Sequence, residues 1–332
     1  MPRSLTLLVF DGVADGSVGV TLDIIGAATR IAQSGALLDM PLSQLPTRPR
    51  LVSVDGKVVR TAAGRELAVD GRLSAAKIAS GDLLVIPGLG MATPQEVTSG
   101  LGRADIARAE KTLCRVAARG AWLAASCSAT FVLAQTGLLN GKEATTTWWL
   151  RQAFQRRFPR IRLRGDRMVV RDGRLFTSGS AFAHADLVLA LLSATISPSL
   201  AHFVASYLVL DERASQAQYM VLDHLQNEHP TLRALEEFIK ANLCRQLTVR
   251  QMAAAVGTSP RTLARHLQRV GTTPLQLAQR LRVTRAAHLL ETTTDPVDHI
   301  AAQVGYADAA AFRRIYRREL GQAPGAARRR AT

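Results

Sequence analysis

Gln251-Met-Ala-Ala-Ala-Val-Gly-Thr-Ser-Pro-Arg-Thr-Leu-Ala-Arg-His-Leu267 is echoed downstream by His299-Ile-Ala-Ala-Gln-Val-Gly-Tyr-Ala-Asp-Ala-Ala-Ala-Phe-Arg-Arg-Ile-Tyr316. Met252, Ala253, Val256 and Gly257 align with Ile300, Ala301, Val304 and Gly305. After one extra residue in the second copy, Leu263, Arg265 and Leu267 align with Phe312, Arg314 and Tyr316. Each copy encodes a helix, a turn opened by glycine, and a second helix with apolar residues four apart. Two such units imply two recognition helices offered to successive major-groove faces of one duplex.

The charge distribution agrees. The chain of 332 residues carries a formal charge of +16. From Thr231 onward, 17 Lys and Arg face 7 Asp and Glu, so the first 230 residues hold only +6 of that excess. A basic C-terminal third suits a polyphosphate partner, because neutralising phosphates releases condensed counterions. A hydrophobic content of 47% with 20% charged residues excludes a disordered chain, and the length allows two cores. The run Leu5 to Phe10 is too short for an export signal and is followed at once by Asp11. Leu187 to Leu210 is broken by Pro198 and His202, which favours a buried helix pair over a membrane span. Three dispersed cysteines, Cys114, Cys127 and Cys244, lack metal-ligand spacing and suit a reducing cytoplasm. No metal or cofactor is expected.

The first two hundred residues alternate between strand and helix patterns. Residues 5–10, 82–86, 121–125 and 173–177 read as strands, and 49–69 as extended segments turning at Asp55-Gly56. Helices are expected over 21–34, 104–119, 128–137 and 183–193. This alternation predicts an α/β domain, flavodoxin-like, with a mostly parallel sheet and helices on both faces. Strand signals stop near Leu200, and the remainder predicts an all-α domain with two helix-turn-helix units. The expected division is 1–211, a linker at 212–230, and 231–332.

In the first unit Thr248 and Ser259-Pro260 are good helix starts. Leu263 and Leu267 turn inward, leaving Arg261, Thr262, Arg265 and His266 for DNA; Arg265 has the side chain best matched to guanine or phosphate. In the second unit Asp308 caps the helix, while Phe312, Ile315 and Tyr316 point to the core. Ala309, Ala310, Arg313, Arg314 and Arg317 are then available to DNA. Small alanines allow close approach and contact with a thymine methyl. Between the units Thr273-Pro274 opens a long helix through Leu290 that fixes their spacing, with Arg280, Arg282 and Arg285 on its exposed face. Any one of these arginines reads equally as a solvated surface residue.

The region from Leu235 to Arg329 resembles the AraC/XylS family of transcriptional regulators. Ile300-Ala301, Val304-Gly305-Tyr306, Phe312-Arg313-Arg314 and the terminal Gly321-x-x-Pro324 carry the resemblance. The departures are Ala323 in place of serine and alanines where serines often begin the second reading helix.

A strand running into Ala125-Ser-Cys-Ser-Ala129 and then a helix has the arrangement of a nucleophile elbow, where a helix N-terminus lowers a thiol pKa. A lone Cys127 reads more readily as a buried small hydrophobe. Together with Ile86-Pro-Gly88, Leu22-Asp-Ile-Ile-Gly26 and Gly137-Leu-Leu-Asn-Gly-Lys-Glu-Ala-Thr-Thr-Thr-Trp148, the elbow resembles the DJ-1/PfpI group of the class I glutamine amidotransferase-like superfamily. It is similar to the amidase-like domain fused to an AraC-type reader in the GlxA-like architecture. Against that pattern, Gly26-Ala-Ala-Thr29 stands where active members have Gly-Pro-x-Glu, Ser128 where hydrolytic members often have histidine, and Thr147 where relatives have Thr-His-Trp. The oxyanion-side loop is Pro87-Gly88-Leu89. His184 is the local histidine that could be recruited, and it reads more readily as a helix-start or surface residue near Asp186.

The resemblance therefore implies a cytoplasmic, sequence-specific regulator, an activator by default, whose α/β domain is catalytically inactive and binds a small-molecule effector. Gly88, Leu89, Cys127, Ser128, Thr147 and Trp148 would line the effector pocket, together with Thr146. Trp148 and Trp149 read equally as core or interface residues. Implied partners are double-stranded DNA at promoter half-sites, RNA polymerase and a second copy of the chain, with no membrane. The alternatives are a cysteine-dependent hydrolase or glyoxalase-like enzyme with an auxiliary DNA-binding domain, and a redox sensor acting through Cys127.

Overall fold

The computed structural model describes residues 3–34, 45–46, 48–211, 213, 216, 230–269, 272–320 and 323–325. They form two compact units, Met1–Gln216 and Ala217–Thr332.

In the α/β unit the apolar runs pair edge to edge. Its strands are β1 (Leu5–Leu8), β2 (Arg50–Ser53), β3 (Val59–Arg60), β4 (Glu66–Leu67), β5 (Gly71–Arg72), β6 (Leu83–Ile86), β7 (Trp122–Ser126), β8 (Glu143–Ala144), β9 (Arg162–Leu163), β10 (Val169–Asp172) and β11 (Leu175–Ser178). Seven of them make one sheet in the order β10-β11-β7-β6-β1-β2-β5. Every neighbouring pair is parallel except the β10–β11 hairpin at the edge. β1 and β6 are buried at every position, as central strands covered on both faces must be.

Its helices are α1 (Asp15–Gln33), α2 (Pro94–Leu101), α3 (Ala104–Ala118), α4 (Ala129–Gln135), α5 (Arg151–Arg157), α6 (Ala183–Thr195) and α7 (Pro198–Tyr207). α1, α6 and α7 pack together, while α3 packs on α4. Pro198 starts α7, with Ser197 accepting from the Leu200 amide, so the apolar stretch 187–210 is a helix pair. α1 begins at Asp15, not at Thr21. Gly16 and Gly19 lower helix propensity in the first turns, but tertiary packing overrides it, because Ser17, Val18 and Thr21 are buried.

The C-terminal unit contains α8 (Pro230–Ala241), α9 (Val249–Ala255), α10 (Pro260–Arg269), α11 (Pro274–Thr292), α12 (Val297–Gln303) and α13 (Ala309–Leu320). Two small cores divide it. Leu235, Ile239, Met252, Leu263 and Leu267 pack on Leu277 and Leu281 of α11, while Ile300, Val304, Phe312 and Tyr316 pack on Val283, Ala286 and Leu290 of the same helix. One long helix thus supplies a wall to both cores.

Candidate functional site

The elbow forms where β7 meets α4. Cys127 takes φ +54°, a left-handed conformation that a side chain adopts only when its surroundings impose it. The Cys127 amide donates to the Ser178 carbonyl at 3.0 Å, and the Thr146 hydroxyl donates to the Cys127 carbonyl at 2.8 Å. Gly88 lies against the turn, where an added Cβ would meet Cys127 Cβ at 3.2 Å. A side chain there would require the turn to give by a few tenths of an ångström.

The predicted pocket residues are brought together, and they are packed. Gly88, Leu89, Cys127, Ser128 and Thr147 are buried, and Trp148 is half-buried beside Trp149. The Ser128 hydroxyl accepts from the Leu89 amide at 3.1 Å and donates to the Leu89 carbonyl at 2.6 Å. An oxyanion hole at such an elbow needs the amide after the nucleophile and one from the facing loop. Here the facing amide is already bonded. Burial pushes the Cys127 thiol pKa up, the reverse of the lowering that a helix N-terminus would give, while the Ser128 amide and the Ser128 and Thr147 hydroxyls offset part of the rise.

Thr29 lies late in α1, where its hydroxyl donates to the Ile25 carbonyl at 2.9 Å. The first-turn acid of α1, Asp15, accepts from the Ala63 amide at 3.2 Å, and the Thr61 hydroxyl lowers its pKa. Among the described residues no carboxylate or imidazole perturbs Cys127.

His184 stands in the first turn of α6, as the helix-start reading expected. It is fully buried rather than on the surface. Its Nε2 lies 2.7 Å from Thr21 Oγ1 and its Nδ1 lies 2.8 Å from Ser126 Oγ. The Thr21 hydroxyl has one proton, given to the Ser17 carbonyl at 3.0 Å, so it must accept from Nε2–H. Nδ1 then accepts from the Ser126 hydroxyl. This network assigns a neutral imidazole, and burial lowers its pKa from 6.5 to about 4. The relay ties α1 and α6 to the strand end beneath Cys127.

Away from the elbow, an open crevice of about 400 Å³ lies at the carboxyl ends of β1 and β2, lined by Phe10, Asp11, Ser53, Lys57, Arg103 and Arg108 among others. Ligands of doubly wound sheets bind at this edge of the fold.

In the C-terminal unit both turns are built on glycine, Gly257 at φ +62° and Gly305 at φ +86°. Thr248 caps α9 with Gln251 returning the bond, a capping box. Ser259 accepts from the Thr262 amide at 3.1 Å to start α10, and Asp308 accepts from the amides of Ala310 and Ala311 at 2.8 and 3.1 Å to start α13. On α10, Arg261 and Arg265 are exposed, Thr262 and His266 half-buried, and the Thr262 hydroxyl is held by Ser259 at 2.9 Å. On α13, Ala310, Arg313, Arg314 and Arg317 are exposed and Ala309 half-buried. Arg313 is engaged by Asp298 at 2.5 Å. Arg285 is exposed and Arg280 half-buried.

Arg282 departs from its expected place on an exposed face. It is half-buried, donates to the carbonyls of Leu243 and Arg245 at 3.0 and 2.5 Å, and lies over the Tyr306 ring at 5.7 Å. It joins the loop between α8 and α9 to the turn of the second unit. The Gln246 side chain adds a bond to the Gly305 carbonyl at 2.9 Å.

Two recognition helices carried on one shared helix are a device for reading duplex DNA, and the chain is a DNA-binding regulator of transcription. It belongs to the DJ-1/PfpI family, whose model matches residues 4–194. A helix-turn-helix domain model matches residues 252–330, and the architecture is that of AraC-type regulators with an N-terminal DJ-1/PfpI domain. The chain is similar to the HTH-type transcriptional regulator GlxA of Rhizobium meliloti, with 29% identity over 68% of this chain and 71% of that one. It is also similar to two Pseudomonas aeruginosa regulators, ArgR (30% identity, 64% of this chain and 65% of that one) and CdhR (27%, 83% and 80%). Among solved structures, an AraC family transcriptional regulator from Pseudomonas putida matches with a TM-score of 0.50 at 21% identity, covering 62% of this chain and all (100%) of that one. A THiJ/PfpI family protein from Pseudomonas syringae matches with a TM-score of 0.51 at 17% identity, covering 77% and 91%. Both likenesses concern the fold. No described helix is long and apolar enough to cross a membrane.

Proposed function

We propose that the chain is a ligand-responsive regulator in which a non-catalytic α/β domain senses a small molecule and two helix-turn-helix units read one promoter site as part of a homodimer. The observation that carries this reading is the presentation of Arg261, Arg265, Arg314 and Arg317 on two recognition helices with a common supporting helix. Activation through RNA polymerase in the cytoplasm follows from the regulator reading. A second copy would double the number of half-site contacts, which single modules need for affinity.

Loss of catalysis is supported at the elbow. A thiol whose pKa is raised by burial, with no carboxylate or imidazole perturbing it among the described residues, is poorly suited to acyl transfer, and the Leu89 amide is committed to Ser128. The same burial disfavours Cys127 as a peroxide sensor, because the thiolate is the reactive form. The elbow set Gly88, Leu89, Cys127, Ser128, Thr147 and Trp148 then serves as a shape-sensitive centre for effector recognition. Electrophoretic mobility shift on the DNA upstream of the protein's own operon, at two salt concentrations, tests the function. Specific, salt-sensitive retardation is expected, and its absence would remove the regulator reading.

A further inference from the structure

Gln216 is the last residue of the α/β unit, and its side chain is fully buried. Its Nε2 lies within hydrogen-bond distance of four oxygens: the carbonyls of Thr146 (3.0 Å), Gly165 (3.1 Å) and Arg167 (3.2 Å), and the Thr145 hydroxyl (3.2 Å). The Thr145 hydroxyl donates its own proton to the Arg167 carbonyl at 3.0 Å, so it turns a lone pair to the cage. With the Arg167 carbonyl already served by Thr145, three acceptors remain, and an amide nitrogen, with two protons, satisfies two of them. Its Oε1 is buried with no hydrogen-bond partner among the described residues. Such a cage is better matched by a group that only donates, carries three protons and is positively charged.

The cage is joined to both halves of the sensor's task. Thr146, which supplies one carbonyl, donates its hydroxyl to the Cys127 carbonyl at 2.8 Å. Gln216 itself opens the segment leading to the DNA-binding unit, and its amide donates to the Asp166 carbonyl at 2.9 Å. Three residues earlier, Arg213 is ion-paired with Asp186 and donates to the Phe182 carbonyl at 2.8 Å. Gly179 makes the room, since a Cβ there would lie 2.5 Å from Gln216 Oε1.

We propose that this four-oxygen cage is the receptor for a small primary ammonium compound, that the Gln216 amide occupies it in the free protein, and that the ligand's entry expels Gln216, the last residue of the α/β unit, and frees Arg213 before it. This rests on the reading of the α/β domain as a sensor. An internal side chain competes at high effective concentration, so the native protein binds the ligand more weakly than an emptied cage would.

The test uses the full chain with propylammonium as probe and propanol as its neutral comparator. Gln216→Ala empties the cage, whereas Gly179→Ala displaces Gln216 but fills the space with a methyl group. By calorimetry, Gln216→Ala should bind propylammonium at least tenfold more tightly than the native chain, and Gly179→Ala should show no gain. Trypsin cleavage after Arg213 should accelerate in both variants, and in the native chain when propylammonium is added. No gain in Gln216→Ala, an equal gain for propanol, or unchanged cleavage in all three cases overturns the proposal. Mobility shifts on upstream DNA separate the two ideas. Specific DNA binding with no ammonium gain sinks the cage and leaves the regulator, whereas a tenfold gain without DNA binding supports the cage and sinks the regulator.

Discussion

Acidification should destabilise the α/β unit through His184 alone among the histidines whose environment is resolved as perturbed. Its imidazole is neutral between Thr21 and Ser126, with a pKa of about 4 when folded against 6.5 when free. The unfolded chain binds the proton between these values and the folded chain does not, so stability is full above 6.5 and falls as pH drops toward 4. From those two values the linkage relation gives a loss of about 2 kcal/mol at pH 5 and about 3 kcal/mol at pH 4. All three tryptophans, Trp122, Trp148 and Trp149, lie in this unit, so their fluorescence reports its unfolding. Urea titrations at pH 8 and pH 5 should show the loss in the native chain and most of it removed in His184→Gln, which lacks the titrating ring. Equal losses in the two proteins would refute the buried neutral relay.

Ser128→Ala should cost roughly 2–4 kcal/mol, because it strips both the buried amide and the buried carbonyl of Leu89 of their partner; a thermal melt unchanged from the native would contradict it. Gly305→Ala should fail to fold its C-terminal unit, since φ is +86° and the new Cβ would lie 2.3 Å from the Leu243 carbonyl; circular dichroism showing native helix content would refute this. Arg282→Ala should destabilise by about 1–3 kcal/mol through two orphaned carbonyls and weaken DNA binding by misaligning the units; Arg285→Ala, exposed on the same helix, is the control that should leave melting unchanged.

Much of this was readable in the residues because the signals are local. The repeat placed both turns at their glycines, and the inward spacing of Leu263 and Leu267 or Phe312 and Tyr316 matched the buried faces. The apolar runs at Leu5, Leu83 and Trp122 became adjacent parallel strands. The start of α1 was hidden because its glycine-rich first turns look like loop, and only packing rescues them. The relay was hidden for another reason: Thr21 and His184 stand 163 positions apart, and nothing in either neighbourhood announces the other. Arg282 resembled its exposed neighbours on α11 until the fold brought Leu243 and Arg245 beneath it. Gln216 fell in a polar stretch that reads as linker, although its amide is buried in the α/β unit.

The central claim is that the two units read different parts of one DNA site. Footprinting of Arg265→Ala and Arg314→Ala on the same upstream fragment tests it most directly. Each substitution should remove protection from a different segment, about one helical turn apart, while the other segment stays protected. Loss of the same contacts in both variants would contradict the account.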